Sequence, residues 1–336
     1  MNKKLIALLL TLLLAVGILA GCAPKPEAPV PDSGSAAAAE PAGPAEEPAD
    51  TGITVTDMTG REVKLEAPAE HVACLTAADV EIIYAVGAGD TLVGRGEYCN
   101  YPPEVLDVIA VQSGMETNVE QVIALEPDLL IMDTMAQSEE QITQFEDAGI
   151  PVFVTDAKTI DETYLSIELI GVLLGKEAEA VKVVDDMKQT LSDLGTKAEA
   201  AAAGGGEQTI YFEVSPLEFG LWASGSDTFM NEVADILKLK NIFGDIPGYP
   251  EISEEQVIEL DPDYILTVGM YFGDGPTPIE SILSRPGWAG ITAVKNKAIL
   301  NLTGDELSRP GPRLAEGAKL LYEFVYEGGA AEPDAQ

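Results

Sequence analysis

The chain has 336 residues, 57 acidic against 19 basic side chains, a formal net charge of −38, one histidine (His71) and three cysteines. So acidic a polymer repels phosphate backbones, which excludes a general nucleic-acid binder, and a single histidine excludes His-rich metal sites and weakens any histidine-based triad. The length allows roughly two domains of about 150 residues, each with its own core; only five arginines are present (Arg61, Arg95, Arg285, Arg309 and Arg313), so any of them in a cleft is informative.

Lys3 and Lys4 precede the apolar run Leu5 to Leu19, which ends in Leu19-Ala20-Gly21-Cys22. A charged start, an apolar stretch and a small-residue cleavage site predict a signal peptide over residues 1–21. The Leu-Ala-Gly-Cys sequence resembles the bacterial lipobox, which implies cleavage before Cys22, lipidation of its thiol and an anchor on the outer face of the cell membrane. The plainer alternative is an ordinary secretory signal with an incidental cysteine. Residues 22–52, rich in Ala, Pro, Glu and Gly, cannot bury a core and read as a flexible tether; residues 328–336 read as a frayed tail. Cys74 and Cys99 remain, and in an exported protein both a disulfide and two buried thiols stand open.

The folded part is expected to begin with a hairpin, Ile53 to Leu65, turning at Asp57 to Gly60. Strands are predicted at 71–75, 92–95, 129–132 and 152–154, and helices at 78–86, 119–125 and 138–148, giving an α/β lobe over residues 53–160 with a mainly parallel sheet. Residues 161–206 hold a helix over 162–174 that packs on this lobe. A second helix follows over 177–203, apolar at Ala178, Val181, Val184, Met187, Leu191 and Leu194. At 1.5 Å per residue, this second helix of about 27 residues would span about 40 Å and hold two lobes at a nearly fixed separation. A second lobe over 207–327 repeats the pattern: strands at 209–214, 264–268 and 298–302, helices at 227–239 (capped by Ser226), 279–283 and 311–326. The fold expected is two Rossmann-like lobes, each a mainly parallel sheet flanked by helices, joined by one long rigid helix.

An internal repeat supports two related lobes: Glu120-Gln-Val-Ile-Ala-Leu-Glu-Pro-Asp-Leu-Leu-Ile131 matches Glu255-Gln-Val-Ile-Glu-Leu-Asp-Pro-Asp-Tyr-Ile-Leu266, 135 residues on. Each copy reads as a short helix ended by Pro127 or Pro262, then a buried strand. Asn118 and Ser253 occupy equivalent cap positions, with Gln121 and Gln256 placed to complete capping boxes.

Four segments carry a resemblance: Tyr98-Cys-Asn-Tyr-Pro102, Asn118 to Asp128, Ser253-Glu-Glu-Gln-Val257 and Arg309-Pro-Gly-Pro-Arg-Leu314. Together, in order and behind a lipobox, they resemble the periplasmic-binding-protein family with a rigid inter-lobe helix, which serves ABC importers of cobalamin, ferric siderophores and haem; the similarity covers nearly all of residues 53–326. Within the family the chain looks most similar to cobalamin-binding proteins. The resemblance implies a monomeric carrier, not an enzyme, that holds its ligand in the cleft between lobes and docks on a permease dimer with its ATPase subunits. It also implies that Glu120 and Glu255, one acid per lobe, pair with arginines of the permease. Plain stabilisation of two helix N-termini, worth about 0.3–1 kcal/mol each, is the rival account of these residues.

For the cleft, the resemblance places Tyr98 at the ligand and gives Arg309 the task of reaching ligand amides or carboxylates, for which a planar five-donor fork is suited; pairing with Asp305 or Glu306 is its alternative. Trp222, Tyr271 and Phe272 follow strands, where ligand-facing loops fall in open α/β sheets. Trp222 could equally be core, since Phe219 and Leu221 flank it. Met115 and Met135 stand where relatives carry first-lobe tryptophans and could pack softly on a macrocycle or fill core. Arg313 reads as structural, and Arg95 as a strand end that Glu97 could neutralise. No G-x-S-x-G, phosphate-loop or zinc motif occurs, and neither a metal site nor a resident cofactor is expected. Anionic ferric siderophores want several cleft cations and haem wants an axial side chain, whereas a corrinoid, large and nearly uncharged, asks least of the missing residue types. A corrinoid is the expected ligand, with a ferric siderophore or haem as the alternative.

Overall fold

The computed structural model describes residues 52–135, 138–215, 217–268 and 275–331. The expected lipobox with Cys22, nearly all of the expected tether, and Tyr271 with Phe272 lie outside the described residues. Strands β1 (Ile53–Thr56) and β2 (Glu62–Leu65) form the expected antiparallel hairpin. The buried carboxylate of Asp57 closes its turn by accepting the Thr59 and Arg61 amides at 3.0 and 2.8 Å.

The first sheet contains β3 (Val72–Cys74), β4 (Leu92–Gly96), β5 (Ala110–Val111), β6 (Leu129–Asp133) and β7 (Val152–Thr155), all parallel, in the order β5-β4-β3-β6-β7. Helices α1 (Ala77–Ala85), α2 (Val119–Ile123), α3 (Glu139–Asp147) and α4 (Ile160–Leu173) connect and cover it. Helices on both faces explain why β6 and β7 read as unbroken apolar runs rather than alternating ones. α5 (Glu177–Ala202) follows, 26 residues and so about 39 Å long.

The second sheet holds β8 (Gln208–Glu213), β10 (Leu239–Asn241), β12 (Tyr264–Thr267) and β13 (Ile299–Asn301), parallel, in the order β10-β8-β12-β13. A two-stranded antiparallel ribbon of β9 (Leu221–Trp222) and β11 (Glu251–Ile252) stands beside it. Its helices are α6 (Phe229–Ile236), α7 (Glu254–Leu260), α8 (Pro278–Ser284), α9 (Thr292–Asn296) and α10 (Leu314–Tyr322). The order β4-β3-β6-β7 in one sheet corresponds to β10-β8-β12-β13 in the other, so the lobes share topology as well as the repeat.

The repeat has a backbone reason. Glu126 and Asp261, at equivalent places before the two prolines, both take left-handed conformations with φ of 51° and 42°, so the chain has left the helix, which ends at Ile123 or Leu260, before it reaches its proline. The aspartate after each proline then grips the neighbouring central strand. Asp128 accepts the amides of Glu70 and His71 at 2.9 and 3.0 Å, and Asp263 accepts the amide and hydroxyl of Thr209 at 2.9 and 3.0 Å.

Two caps differ from expectation. Ser253 and Gln256 complete a capping box, but Asn118 only accepts from the Gln121 amide, because the Gln121 side chain donates to the Ala110 carbonyl instead. In the second lobe the helix expected from Asp227 begins later. Asp227 is left-handed (φ 60°), so Thr228 rather than Ser226 caps α6, and Leu239 opens β10 instead of ending the helix. α10 likewise starts at Leu314 rather than 311 and closes in a π-helical turn over Glu323–Glu327.

The long helix is packed by both lobes. α5 buries Ala180, Val184, Met187, Leu191, Leu194 and Ala198 and touches α4 and α1 of the first lobe and α6 and α10 of the second. One apolar core therefore runs continuously from Val55 through α5 to Leu321. Polar contacts tie the lobes directly as well: the Phe229 amide donates to the Lys158 carbonyl at 2.7 Å, and the Ile160 amide to the Glu232 carboxylate at 2.6 Å. Two concavities of about 500 and 490 Å³ flank α5, one between α4 and α6 and one between α1 and α10. Among the described residues no helix is long and apolar enough to cross a membrane.

Candidate functional site between the lobes

In open parallel sheets the ligand crevice lies beyond the carboxyl ends of the strands, where the strand order reverses. Here that point falls between β3 and β6 in the first lobe and between β8 and β12 in the second. The loop after β4 carries Tyr98, that after β5 carries Met115 and that after β6 carries Met135. All three side chains are exposed, at 69%, 79% and 83%, so the core alternative for both methionines does not hold. The loops are fixed from below. Gln141 donates to the Gly114 and Met115 carbonyls at 3.2 and 3.3 Å, and Thr134 donates to Asp156 at 2.5 Å.

In the second lobe the chain leaves β8 and turns back through Gly220 (φ 88°) into β9. Trp222 is 38% exposed and Phe219 74% exposed, whereas Leu221 is buried. The residues flanking Trp222 thus divide: Leu221 enters the core, and Phe219 joins the exposed aromatic surface. Phe219 comes from the structure alone: it closes the short 3-10 turn Leu217–Phe219 and faces solvent.

The two lobes also meet beside Tyr98. Arg309, in the loop between β13 and α10, donates from Nη2 to the Tyr98 carbonyl at 3.5 Å. Its Nη1 donates to Glu81 of α1 at 2.9 Å and its Nη2 to Asp305 at 2.5 Å. Arg313 donates to the same Glu81 from Nε and Nη2 at 2.8 and 2.6 Å and lies over the Tyr101 ring at 3.9 Å. Glu81, nearly wholly buried, is therefore a hub in which one first-lobe carboxylate takes three hydrogen bonds from two second-lobe arginines. Arg309 stands where the two lobes meet, and its fork is already engaged by acids, the Asp305 pairing among them. Glu81 was not singled out by sequence reasoning, although a lone acid within the apolar run Val80-Glu81-Ile82-Ile83 is an identifiable signal. Its partners are more than 200 residues away in sequence.

Arg95 behaves differently from expectation. It is buried, and its Nη1 donates to the carbonyls of Gly96, Glu97 and Cys99 at 3.2, 3.4 and 3.1 Å rather than pairing with the Glu97 carboxylate. It staples the loop that bears Tyr98. Cys74 and Cys99 are buried free thiols, and burial raises both, Cys99 to about 12. Asp79, at the start of α1, is pushed up to about 8 by burial, against the stabilising hydroxyl of Thr155 at 2.8 Å and with the help of nearby Asp133. Among the described residues no group of three or more histidine, cysteine or carboxylate side chains is arranged to hold a metal ion.

Glu120 and Glu255 sit in the first turns of α2 and α7, one per lobe, and both are exposed. Neither caps its helix; Asn118 and Ser253 do that.

Comparison with known proteins agrees with this architecture. A profile of periplasmic binding proteins matches residues 72–306. The chain is 36% identical, over 82% of its length and 85% of the relative's, to an uncharacterized ABC transporter substrate-binding lipoprotein of Bacillus subtilis. It is similar to a crystal structure of a possible iron-binding, periplasmic solute-binding protein of Staphylococcus epidermidis (31% identity, TM-score 0.64, 77% of this chain and 100% of that one). It is also similar to that of the periplasmic vitamin B12 binding protein of Vibrio cholerae (27% identity, TM-score 0.63, 77% and 98%). Two parallel-sheet lobes, a shared long helix and a matching profile over most of the fold lead to one conclusion: the chain belongs to the periplasmic binding protein family, whose members bind solutes and are not enzymes.

Proposed function

We propose that this protein is the extracytoplasmic substrate-binding lipoprotein of an ABC importer, and that it captures a corrinoid in the inter-lobe cleft. The observation that carries the reading is the exposed apolar surface on both lobes' cleft loops: Tyr98, Met115 and Met135 on one side, Phe219 and Trp222 on the other. Large apolar side chains are left in water at a cleft when a ligand of matching area covers them. Aromatic rings supply that area with few rotors to freeze. Tyr271 and Phe272 are proposed as further ligand contacts. Arg309 contributes polar contact at the rim, and Glu120 with Glu255 form the permease-docking pair. The name of the Vibrio cholerae relative supports a corrinoid.

A ferric siderophore or haem is the second reading, supported by the iron-binding description of the Staphylococcus epidermidis relative. Titration of the purified protein with cobalamin, cobinamide, haem and ferric siderophores, followed by tryptophan fluorescence, separates the two. Trp222 is the half-exposed reporter and Trp288 is fully buried. Corrinoid quenching with saturation is expected, and tight siderophore binding without a corrinoid response overturns the choice. Anchoring through Cys22 is tested by mass spectrometry of the membrane-extracted protein, where a diacylglyceryl-modified Cys22 peptide is expected.

A further inference from the structure

Arg309 and Arg313 bring two guanidinium charges to the seam between the lobes, and carboxylates surround both. Glu81 accepts from Arg309 Nη1 and from Arg313 Nε and Nη2, at 2.9, 2.8 and 2.6 Å. Asp305 takes the remaining Nη2 of Arg309 at 2.5 Å, and Glu306 stands 3.6 Å from Arg313 Nη1. Two cations are thus formally balanced by Glu81 and Asp305 before Glu306 is counted. The balance is tight because these groups are little exposed: the Arg309 and Arg313 side chains at 14% and 10%, Glu81 at 2%, Asp305 at 16%. With water largely excluded, charges this close act strongly on one another.

An anionic ligand group could reach the Arg309 fork only by displacing Asp305, and it would then lie beside both Asp305 and Glu81. Arg95 does not substitute, since its Nη1 is committed to three carbonyls of its own loop. We propose that Glu81 and Asp305 set the charge specificity of the cleft: by holding Arg309 neutralised, they reject anionic chelates and leave a surface for a large, electrically neutral ligand. Rejection of this kind is built from an unfavourable element, not from a better contact to the preferred ligand. The inference rests on the proposed reading of the cleft as a site for corrinoids or ferric chelates, and it adds what decides among them.

Asp305 is the residue to change. Its backbone is left-handed (φ 65°), a conformation asparagine tolerates well, so Asp305→Asn removes the charge with little risk to the fold. Glu81→Gln is more disruptive because it unbalances both arginines. The probes are cyanocobalamin and a neutral ferric tris-hydroxamate on one side, and haem with its propionates and a trianionic ferric tris-catecholate on the other. Calorimetric titration of the wild-type protein is expected to show preference for the neutral member of each pair. D305N is expected to raise affinity for the anionic probes about tenfold and to leave the neutral ones within about twofold, as removal of one repulsive charge predicts. Adding Arg309→Gln to D305N is expected to cancel the gain. An equal change for neutral and anionic probes, no change for the anionic ones, or a gain that survives Arg309→Gln overturns the charge rule while leaving ligand capture intact. Failure of every probe to bind both proteins removes the reading of the cleft itself, and the charge rule with it.

Discussion

Asp79 shows how a single side chain records the cost of building a cleft at the end of a sheet. Its carboxyl is buried at the start of α1, facing the Thr155 hydroxyl and near Asp133 and Cys74, and its pKa moves from 3.8 to about 8. Between those values the native state keeps a proton that the unfolded chain has already lost. Stability therefore falls as pH rises from about 4 to about 8, with a limiting slope of about 1.4 kcal/mol per pH unit from this group, and the loss is complete above that range. Glu306, Glu232 and Asp235 are also raised, each chiefly by burial, and act in the same direction. Asp79→Asn removes the titration and keeps an oxygen for Thr155. Urea midpoints at pH 5 and pH 8 are expected to differ less in the variant than in the wild type; an undiminished difference contradicts the assignment.

At the scale of elements, α2 and α7 are the same device used twice. Each is a short capped helix stopped by a left-handed residue before Pro-Asp, and each presents one exposed acid in its first turn. Because α5 and the inter-lobe hydrogen bonds fix the spacing, two such acids can meet a two-fold partner at a set distance, where charge pairs steer encounter and register more than affinity. Glu120→Lys combined with Glu255→Lys is expected to abolish uptake in cells and leave ligand affinity in vitro within about twofold; unchanged uptake contradicts docking through these residues. The same elements show what a sequence can and cannot disclose. The helices and buried strands were legible because apolar period and length specify them, and the repeat disclosed the paired lobes. The ribbon of β9 and β11 was not, since two-residue strands carry no period. Nor was the cap at Thr228, which depends on Asp227 adopting positive φ. The ligand-site readings of Tyr98 and Arg309 rest chiefly on the resemblance, and the hub at Glu81 was only half announced: a lone acid in an apolar run marks the residue, but no local pattern names its partners in the other lobe.

For the whole molecule, the charge of −38 and the composition of the cleft point the same way. Excess acid keeps an exported carrier soluble and gives a permease a field to read, while the proposed cleft holds Arg309 and Arg313 against acids and offers exposed aromatic and thioether side chains. A rigid frame of two lobes on one continuous core implies capture with little closure, so the loops at the carboxyl edges must supply most of the binding energy. Truncating one well-packed aromatic at such a contact costs about tenfold or more in affinity. The most direct test is calorimetric titration of cyanocobalamin into the wild-type protein and into the Tyr98→Ala, Trp222→Ala double variant. The expected result is saturable one-to-one binding by the wild type, weakened at least about a hundredfold in a variant that still unfolds at the wild-type midpoint. Equal affinity in the two proteins, or no binding by the wild type, would contradict a corrinoid held between the lobes.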